Sequence, residues 1–130
     1  MQPLTIEYNG YTITTDKRLM NVYEVHKWLS EKSYWSPGIT FEKVKTAFDH
    51  SYCIGILSDG AQVAFGRLIS DYASFAYLAD VYVLEEHRGK GLGKAMMKIL
   101  MELEWVCGLR AVMLATLDAH GLYRQFGFTE

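Results

Sequence analysis

Residues 78–106 run from an apolar strand through a turn holding Gly89, Gly91 and Gly93 into a long helix, without a break between them. The strand reads Leu78-Ala79-Asp80-Val81-Tyr82-Val83-Leu84 and closes the longest strand-like stretch in the chain, Phe75 to Leu84. The helix is read over Gly91 to Val106, with Leu92, Met96, Ile99, Leu103 and Val106 on one apolar stripe. Gly108 stops it, and Ala111 to Ala115 reads as a further buried strand. A strand, a helix and a strand in succession favour a parallel pair joined by a right-handed crossover.

Upstream, Ile6 to Tyr8 and Tyr11 to Thr14 flank Asn9-Gly10, the strongest short hairpin signal. Asp16 is placed to cap a helix whose apolar face carries Val22, Val25 and Leu29 beside Trp28, and Ser36-Pro37-Gly38 breaks it. Thr40 opens a second helix with Phe41, Val44, Ala47 and Phe48 at helical spacing. Tyr52 to Leu57, Gln62 to Ile69 and Phe75 to Leu84 then follow across short turns at Ser58-Asp59-Gly60 and Ser70-Asp71, which suits an antiparallel meander. His120 to Phe126 reads as a short last helix ended by Gly127. The expected architecture is one α/β domain over residues 1–130: a mixed, mostly antiparallel sheet with helices on both faces.

Half of the residues are hydrophobic and the formal net charge is -2, with both signs mixed along the length. That composition fits a packed globule, and no basic field is present to hold nucleic acid or a membrane surface. The N-terminus lacks a signal peptide's charged head and apolar stretch, and no apolar run nears the roughly 18 residues that span a bilayer. Cys53 and Cys107 lack metal-ligand spacing and read as two buried thiols in a reducing cytoplasm. A cytoplasmic location is the expectation.

The glycine turn carries the chemistry. Glycine adopts positive φ and lets a ligand approach where a Cβ would stand. Successive N–H groups can then converge at the positive end of the following helix, an arrangement that favours a diphosphate. Arg88, Lys90 and Lys94 add cations. The dinucleotide pattern G-x-G-x-x-G fails at Lys94, and a P-loop ending at Gly93-Lys94 fails at Arg88 and Ala95. The bland alternative is a flexible basic turn.

Arg88-x-x-Gly91-x-Gly93, after the strand Leu78 to Leu84, resembles the acyl-CoA signature Q/R-x-x-G-x-G/A of the GNAT acyltransferase superfamily. Leu122-Tyr123-Arg124-Gln125-Phe126-Gly127-Phe128 resembles the family's closing motif. The resemblance implies that the loop amides hold the CoA pyrophosphate and that the preceding strand splays from its parallel neighbour to pair with the pantetheine arm. By position, the strand contacts fall on Val81, Tyr82 and Val83, and the pyrophosphate contacts on Arg88, Gly89, Lys90, Gly91, Leu92, Gly93 and Lys94. Asp118 stands near the expected cofactor arm where family members often carry asparagine, so an amide donor is exchanged there for a negative charge.

The implied reaction moves the acetyl group of acetyl-CoA directly to a primary amine of a small-molecule acceptor, with no metal. The amine must be neutral to attack. A backbone N–H of Val81 or Val83 suits the oxyanion. Tyr123 resembles the family's tyrosine that protonates the departing thiolate; packing as a core aromatic is the other reading. Asp80, on the strand, and Asp71, at the preceding turn, are candidates to take the amine proton. An ion pair or bulge contact is the alternative for Asp80, and a turn cap for Asp71. Strict alternation puts Asp80 and Val81 on opposite faces. His26, His50, His87 and His120 show no ligand spacing. Acceptor contacts are expected from Ser33 to Gly38, notably Tyr34 and Trp35, and from Asp71, Phe75, Tyr77 and Tyr82, with a core anchor as the other reading of Trp35.

Three further readings stay open on sequence: a non-catalytic acyl-CoA sensor, a protein or peptide lysine acetyltransferase, and a phosphate-binding interaction domain. The family usually continues by one more strand or two past Phe128-Thr129-Glu130, so an uncovered Val112 to Ala115 edge points to a homodimer or a missing segment.

Overall fold

A computed structural model describes residues 2–114. Six strands form one sheet in the order of the chain: β1 (Thr5–Tyr8), β2 (Tyr11–Thr14), β3 (Tyr52–Ser58), β4 (Ala61–Ser70), β5 (Phe75–Val83) and β6 (Ala111–Leu114). Neighbours from β1 to β5 are antiparallel, and β5 pairs with β6 in parallel over Phe75↔Ala111 to Leu78↔Leu114. The hairpin expected at Asn9-Gly10 forms there, with both residues at positive φ and Tyr8 directly opposite Tyr11.

Between β2 and β3 lie α1 (Val22–Glu31) and α2 (Phe41–Asp49); between β5 and β6 lie α3 (Leu92–Glu102) and the short α4 (Glu104–Cys107). Two boundaries differ from expectation. Asp16 caps only a one-turn 3-10 helix at Lys17–Leu19, while Asn21 caps α1 by accepting from the N–H groups of Tyr23 and Glu24. The long helix read over 91–106 is interrupted at Leu103, whose extended backbone (φ -63°, ψ 135°) ends α3 and starts α4. Leu103 and Val106 still reach the core, so the apolar stripe survives a break that periodicity does not reveal. Thr40 caps α2 through the N–H of Lys43, as its position suggested.

The sheet divides two apolar cores. On one face α3 and α4 bury Leu92, Met96, Met97, Leu100 and Val106 against Ile13, Ile54, Ile56, Val63, Leu68, Ala76 and Leu78. On the other, α1 and α2 bury Val25, Leu29, Val44 and Phe48 against Cys53, Phe65 and Tyr82. Each fully buried side chain of this size contributes roughly 1.5–3 kcal/mol by leaving water. No helix among the described residues is long and apolar enough to cross a membrane.

β5 changes face part-way along. Phe65 pairs with Tyr82 and Arg67 with Ala79, so Gly66 of β4 faces both Asp80 and Val81. This is a β-bulge, with Asp80 in the left-handed region at φ 54°. Ala76 and Leu78 enter the α3 core, and beyond the bulge Val81 and Val83 pack against that same core while Tyr82 enters the other. Strict alternation would have exchanged these roles.

Candidate active site

The glycine loop is built at the C-terminal end of β5. The Leu84 N–H donates to the Val63 carbonyl at 2.8 Å, holding the strand's end on β4. Since strand N–H groups alternate in direction, that of Tyr82 also faces β4 and that of Val83 faces the opposite edge, on the β6 side. Residues Glu85–His87 form one 3-10 turn, after which Gly89 (φ 79°) and Gly91 (φ 76°) take left-handed backbone. An L-residue would be strained at either place.

Gly91 caps α3 without a side-chain acceptor, and the first intrahelical bond runs from Ala95 N–H to the Gly91 carbonyl at 3.0 Å. Among the described residues, the N–H groups of Gly89, Lys90, Gly91, Leu92, Gly93 and Lys94 donate to no protein acceptor. Six consecutive donors therefore collect at the positive end of an 11-residue helix. Arg88, Lys90 and Lys94 are exposed around them. The Leu92 side chain is buried in the α3 core, so only its backbone serves the loop. Arg88 Nε donates to the Val83 carbonyl at 3.0 Å and ties the turn back to the strand. This geometry fits a diphosphate: a row of unmatched donors, a cationic rim and no Cβ at two points of close approach.

Across the sheet, below α1 and α2, lies a second feature. A cavity of about 80 Å³ is lined by Val25, Leu29, Val44, Phe48 and Phe65 with Arg67 and Asp80 as its charged members. That volume admits a small group rather than a whole drug-sized molecule. Arg67 Nε donates to Asp80 Oδ2 at 2.8 Å, and Arg67 Nη1 donates to Ser51 Oγ at 2.8 Å. Trp35 Nε1 donates to Asp80 Oδ1, also at 2.8 Å. The Arg67 and Asp80 side chains are 16% and 13% exposed, which makes the pair nearly buried and the charges mutually dependent. Trp35 itself is exposed and touches Tyr34 edge-on and Trp28 at 5.5 Å, forming an aromatic rim.

Asp80 and Trp35 are joined by a hydrogen bond, and Asp80 takes up the ion pair and bulge contact that were its alternative reading. Other candidates fall elsewhere. Asp71 accepts from the N–H groups of Ala73, Ser74 and Phe75 and from the Ser74 hydroxyl, bonds that hold its carboxyl well below the usual carboxylate range. It is a turn cap, away from the cavity lining. Tyr77 is half-buried on β5 and is not among the lining residues; Phe75 starts the strand. Tyr82 is buried, stacked on Trp28 at 4.4 Å with its hydroxyl near Gln62 Nε2, and burial pushes its phenol up to about 12. Its side chain belongs to the core and is not among the lining residues. Sequence reasoning missed Arg67 and Ser51; a lone arginine in an apolar strand, Val63-Ala64-Phe65-Gly66-Arg67-Leu68, was the available signal. Tyr123 and Asp118 lie outside the described residues. No group of three or more metal-ligating side chains occurs among the described residues.

A meander flanked by helices on both faces, with a bulged strand that ends in a glycine loop rich in N–H donors, is an acyltransferase architecture. The acetyltransferase (GNAT) family profile matches residues 22–128, and the chain belongs to that family. A Gibberella zeae protein assigned as an acetyltransferase is 32% identical over 87% of this chain and 75% of its own. The crystal structure of a protein assigned to the GNAT acetyltransferases of Xanthomonas campestris superposes with a TM-score of 0.89 at 49% identity, covering 92% of this chain and 84% of that one. A GNAT-family acetyltransferase of Streptococcus pneumoniae gives 0.73 at 27% identity, over 92% of this chain and 87% of that one.

Proposed function

We propose that this GNAT-family chain is an N-acetyltransferase that binds acetyl-CoA and passes its acetyl group directly to a primary amine of a small acceptor. The observation that carries the reading is the run of six N–H groups from Gly89 to Lys94, without acceptors among the described residues, at the head of α3 and soon after β5. In this reading those amides, with Arg88, Lys90 and Lys94, hold the pyrophosphate, and the backbone of Val81 to Val83 takes the pantetheine arm. Acetyl-CoA supplies an activated thioester, and the chain's residues place it and manage the protons. The Val83 N–H, turned away from β4, polarises the acetyl carbonyl.

On the other side of β5, the cavity takes the apolar part of the acceptor and Asp80 faces its amine. Both Asp80 oxygens already accept one hydrogen bond, and each keeps a second lone-pair direction. Asp80 can therefore draw in the ammonium form and receive its proton, directly or through water. Tyr123, from its place in the closing motif, protonates the thiolate. Cytoplasmic action on a free small molecule fits the mixed surface charge.

Calorimetric titration with acetyl-CoA, followed by thiol release against a panel of primary amines, tests the reading. Binding with release on a subset of amines is the expected result. Absence of binding sinks it, and binding without release on any amine or lysine peptide leaves an acyl-CoA sensor. Tyr123→Phe should keep acetyl-CoA binding and lose turnover by about tenfold or more, the usual scale of general acid catalysis.

A further inference from the structure

The hairpin formed by β1 and β2 lies at the far edge of the sheet from β5, yet its two facing tyrosines reach the glycine loop. Tyr8 and Tyr11 are the closing pair of that hairpin, so their side chains share one face. Tyr11 Oη and His87 Nδ1 lie 2.8 Å apart across 76 residues of sequence and share one hydrogen. The two rings also meet edge-on, with centroids 5.6 Å apart. Lys90 Nζ sits 5.9 Å from the centre of the Tyr11 ring. A Cβ built on Gly91 would lie 3.3 Å from Tyr8 Oη, so that hydroxyl closes the space beside the helix cap. One pair of side chains thus bonds position 87 and lies beside positions 90 and 91.

Tyr11 is a firm anchor, since only 7% of it is exposed and it belongs to the core beneath α3. His87 is the last residue of the 3-10 turn and immediately precedes Arg88. Its backbone N–H donates to the Leu84 carbonyl at 2.9 Å, so backbone and ring together set the direction in which the chain leaves the turn. Gly89 and Gly91 have no side chains to restrict them, and a glycine loop loses the most entropy when it is ordered around a ligand. Contacts that fix it beforehand lower that cost.

We infer that the Tyr11–His87 hydrogen bond, backed by Tyr8, preorganises the Gly89–Lys94 amides and so sets affinity for the pyrophosphate of CoA. The inference rests on the donor-site reading above. His87 is then a positioning residue, acting through the loop and touching no donor atom.

Calorimetric Kd values for CoA on the full chain, with amide hydrogen exchange of residues 89–94, test it. Tyr11→Phe and His87→Leu should each weaken CoA about fivefold, and the double variant no more than either single one. His87→Asn, whose side-chain amide can stand where Nδ1 was, should recover most of the affinity. Exchange should quicken in 89–94 and stay unchanged in β3 and β4, a pattern that general loosening of the fold does not give. Unchanged affinity in Tyr11→Phe and His87→Leu overturns the inference while leaving the donor site standing, and so does equal weakening by His87→Asn. A wild-type chain that does not bind CoA overturns the donor reading and the inference together.

Discussion

Arg67 and Asp80 meet at 2.8 Å where β5 bulges, and Asp80 holds left-handed backbone at φ 54° to make that contact. The bulge sends Val81 and Val83 to the α3 core, while Asp80 and Arg67 line the cavity on the other face. One extra residue in the strand therefore separates the α3 core from the charged cavity. Strain in a non-glycine residue persists where neighbours over-determine it, and here Arg67 and Trp35 do so.

Removing one charge of this pair strands the other. Asp80→Asn keeps a side chain that tolerates left-handed backbone but leaves the Arg67 guanidinium without its counter-charge. The expected cost is roughly 2–4 kcal/mol in urea unfolding, since a nearly buried ion loses its partner. Arg67→Met should cost a similar amount. The double variant should cost clearly less than the sum, and strict additivity would show that the two groups do not depend on one another.

The loop glycines should differ in sensitivity. Gly89 and Gly91 share positive φ, but a Cβ on Gly89 meets nothing within 4 Å, whereas one on Gly91 meets Tyr8 Oη at 3.3 Å. Gly89→Ala carries only the backbone strain of about 1–2 kcal/mol. Gly91→Ala adds a tight contact and shifts the first turn of α3. CoA binding by calorimetry should fall by about tenfold or more in Gly91→Ala and by less in Gly89→Ala. Tyr8→Phe introduced into Gly91→Ala should restore part of the loss.

Local signals were legible in the sequence where one or two residues decide the backbone. Asn9-Gly10 marked the hairpin, Thr40 the start of α2, and the glycine spacing after Leu84 the left-handed turn and the head of α3. What stayed hidden depends on residues far apart in the chain. An ion pair or bulge contact was one of two readings of Asp80, but its partners, Arg67 on the neighbouring strand and Trp35 on a loop 45 residues earlier, were not legible. Leu103 interrupts a helix without a glycine or proline to mark it. Asp71 looked like a site carboxylate because a turn cap and an acceptor ligand draw on the same residue type. The Tyr11–His87 contact spans 76 positions and carries no periodicity.

Thiol chemistry separates the two cysteines, which the sequence had led us to place together in the core. Cys107 is exposed at the end of α4, whereas Cys53 is buried between β3 and α2 with its thiol pushed up to about 12 by burial. Thiolate is the reacting form, so Cys53 is held back both by lack of access and by its raised pKa, while Cys107 is open to reagent. Titration of the native chain with a disulfide reagent at neutral pH should consume one equivalent quickly. A second should react only on addition of denaturant. Two fast equivalents would mean that the core beneath α2 opens readily.

The buried phenol of Tyr82 gives stability a dependence on alkaline pH. Burial raises its folded pKa from 10.0 to about 12, the Gln62 amide opposing this only weakly. Below pH 10 the phenol is neutral in folded and unfolded chains alike, and its full contribution is present. Above pH 10 the unfolded chain loses the proton first and is favoured, so stability erodes until the folded phenol ionises near pH 12. The loss across this window is on the order of 2 kcal/mol. Tyr82→Phe keeps the ring against Trp28 and Phe65 while removing the ionisable oxygen. Urea midpoints measured from pH 9 to pH 11.5 should fall less steeply for Tyr82→Phe than for the wild type. Cys53, raised from 9.0 to about 12, adds a parallel loss that begins about one pH unit lower and persists in both proteins. Equal slopes for the two proteins would place the Tyr82 hydroxyl in contact with water, contrary to its burial beneath α1.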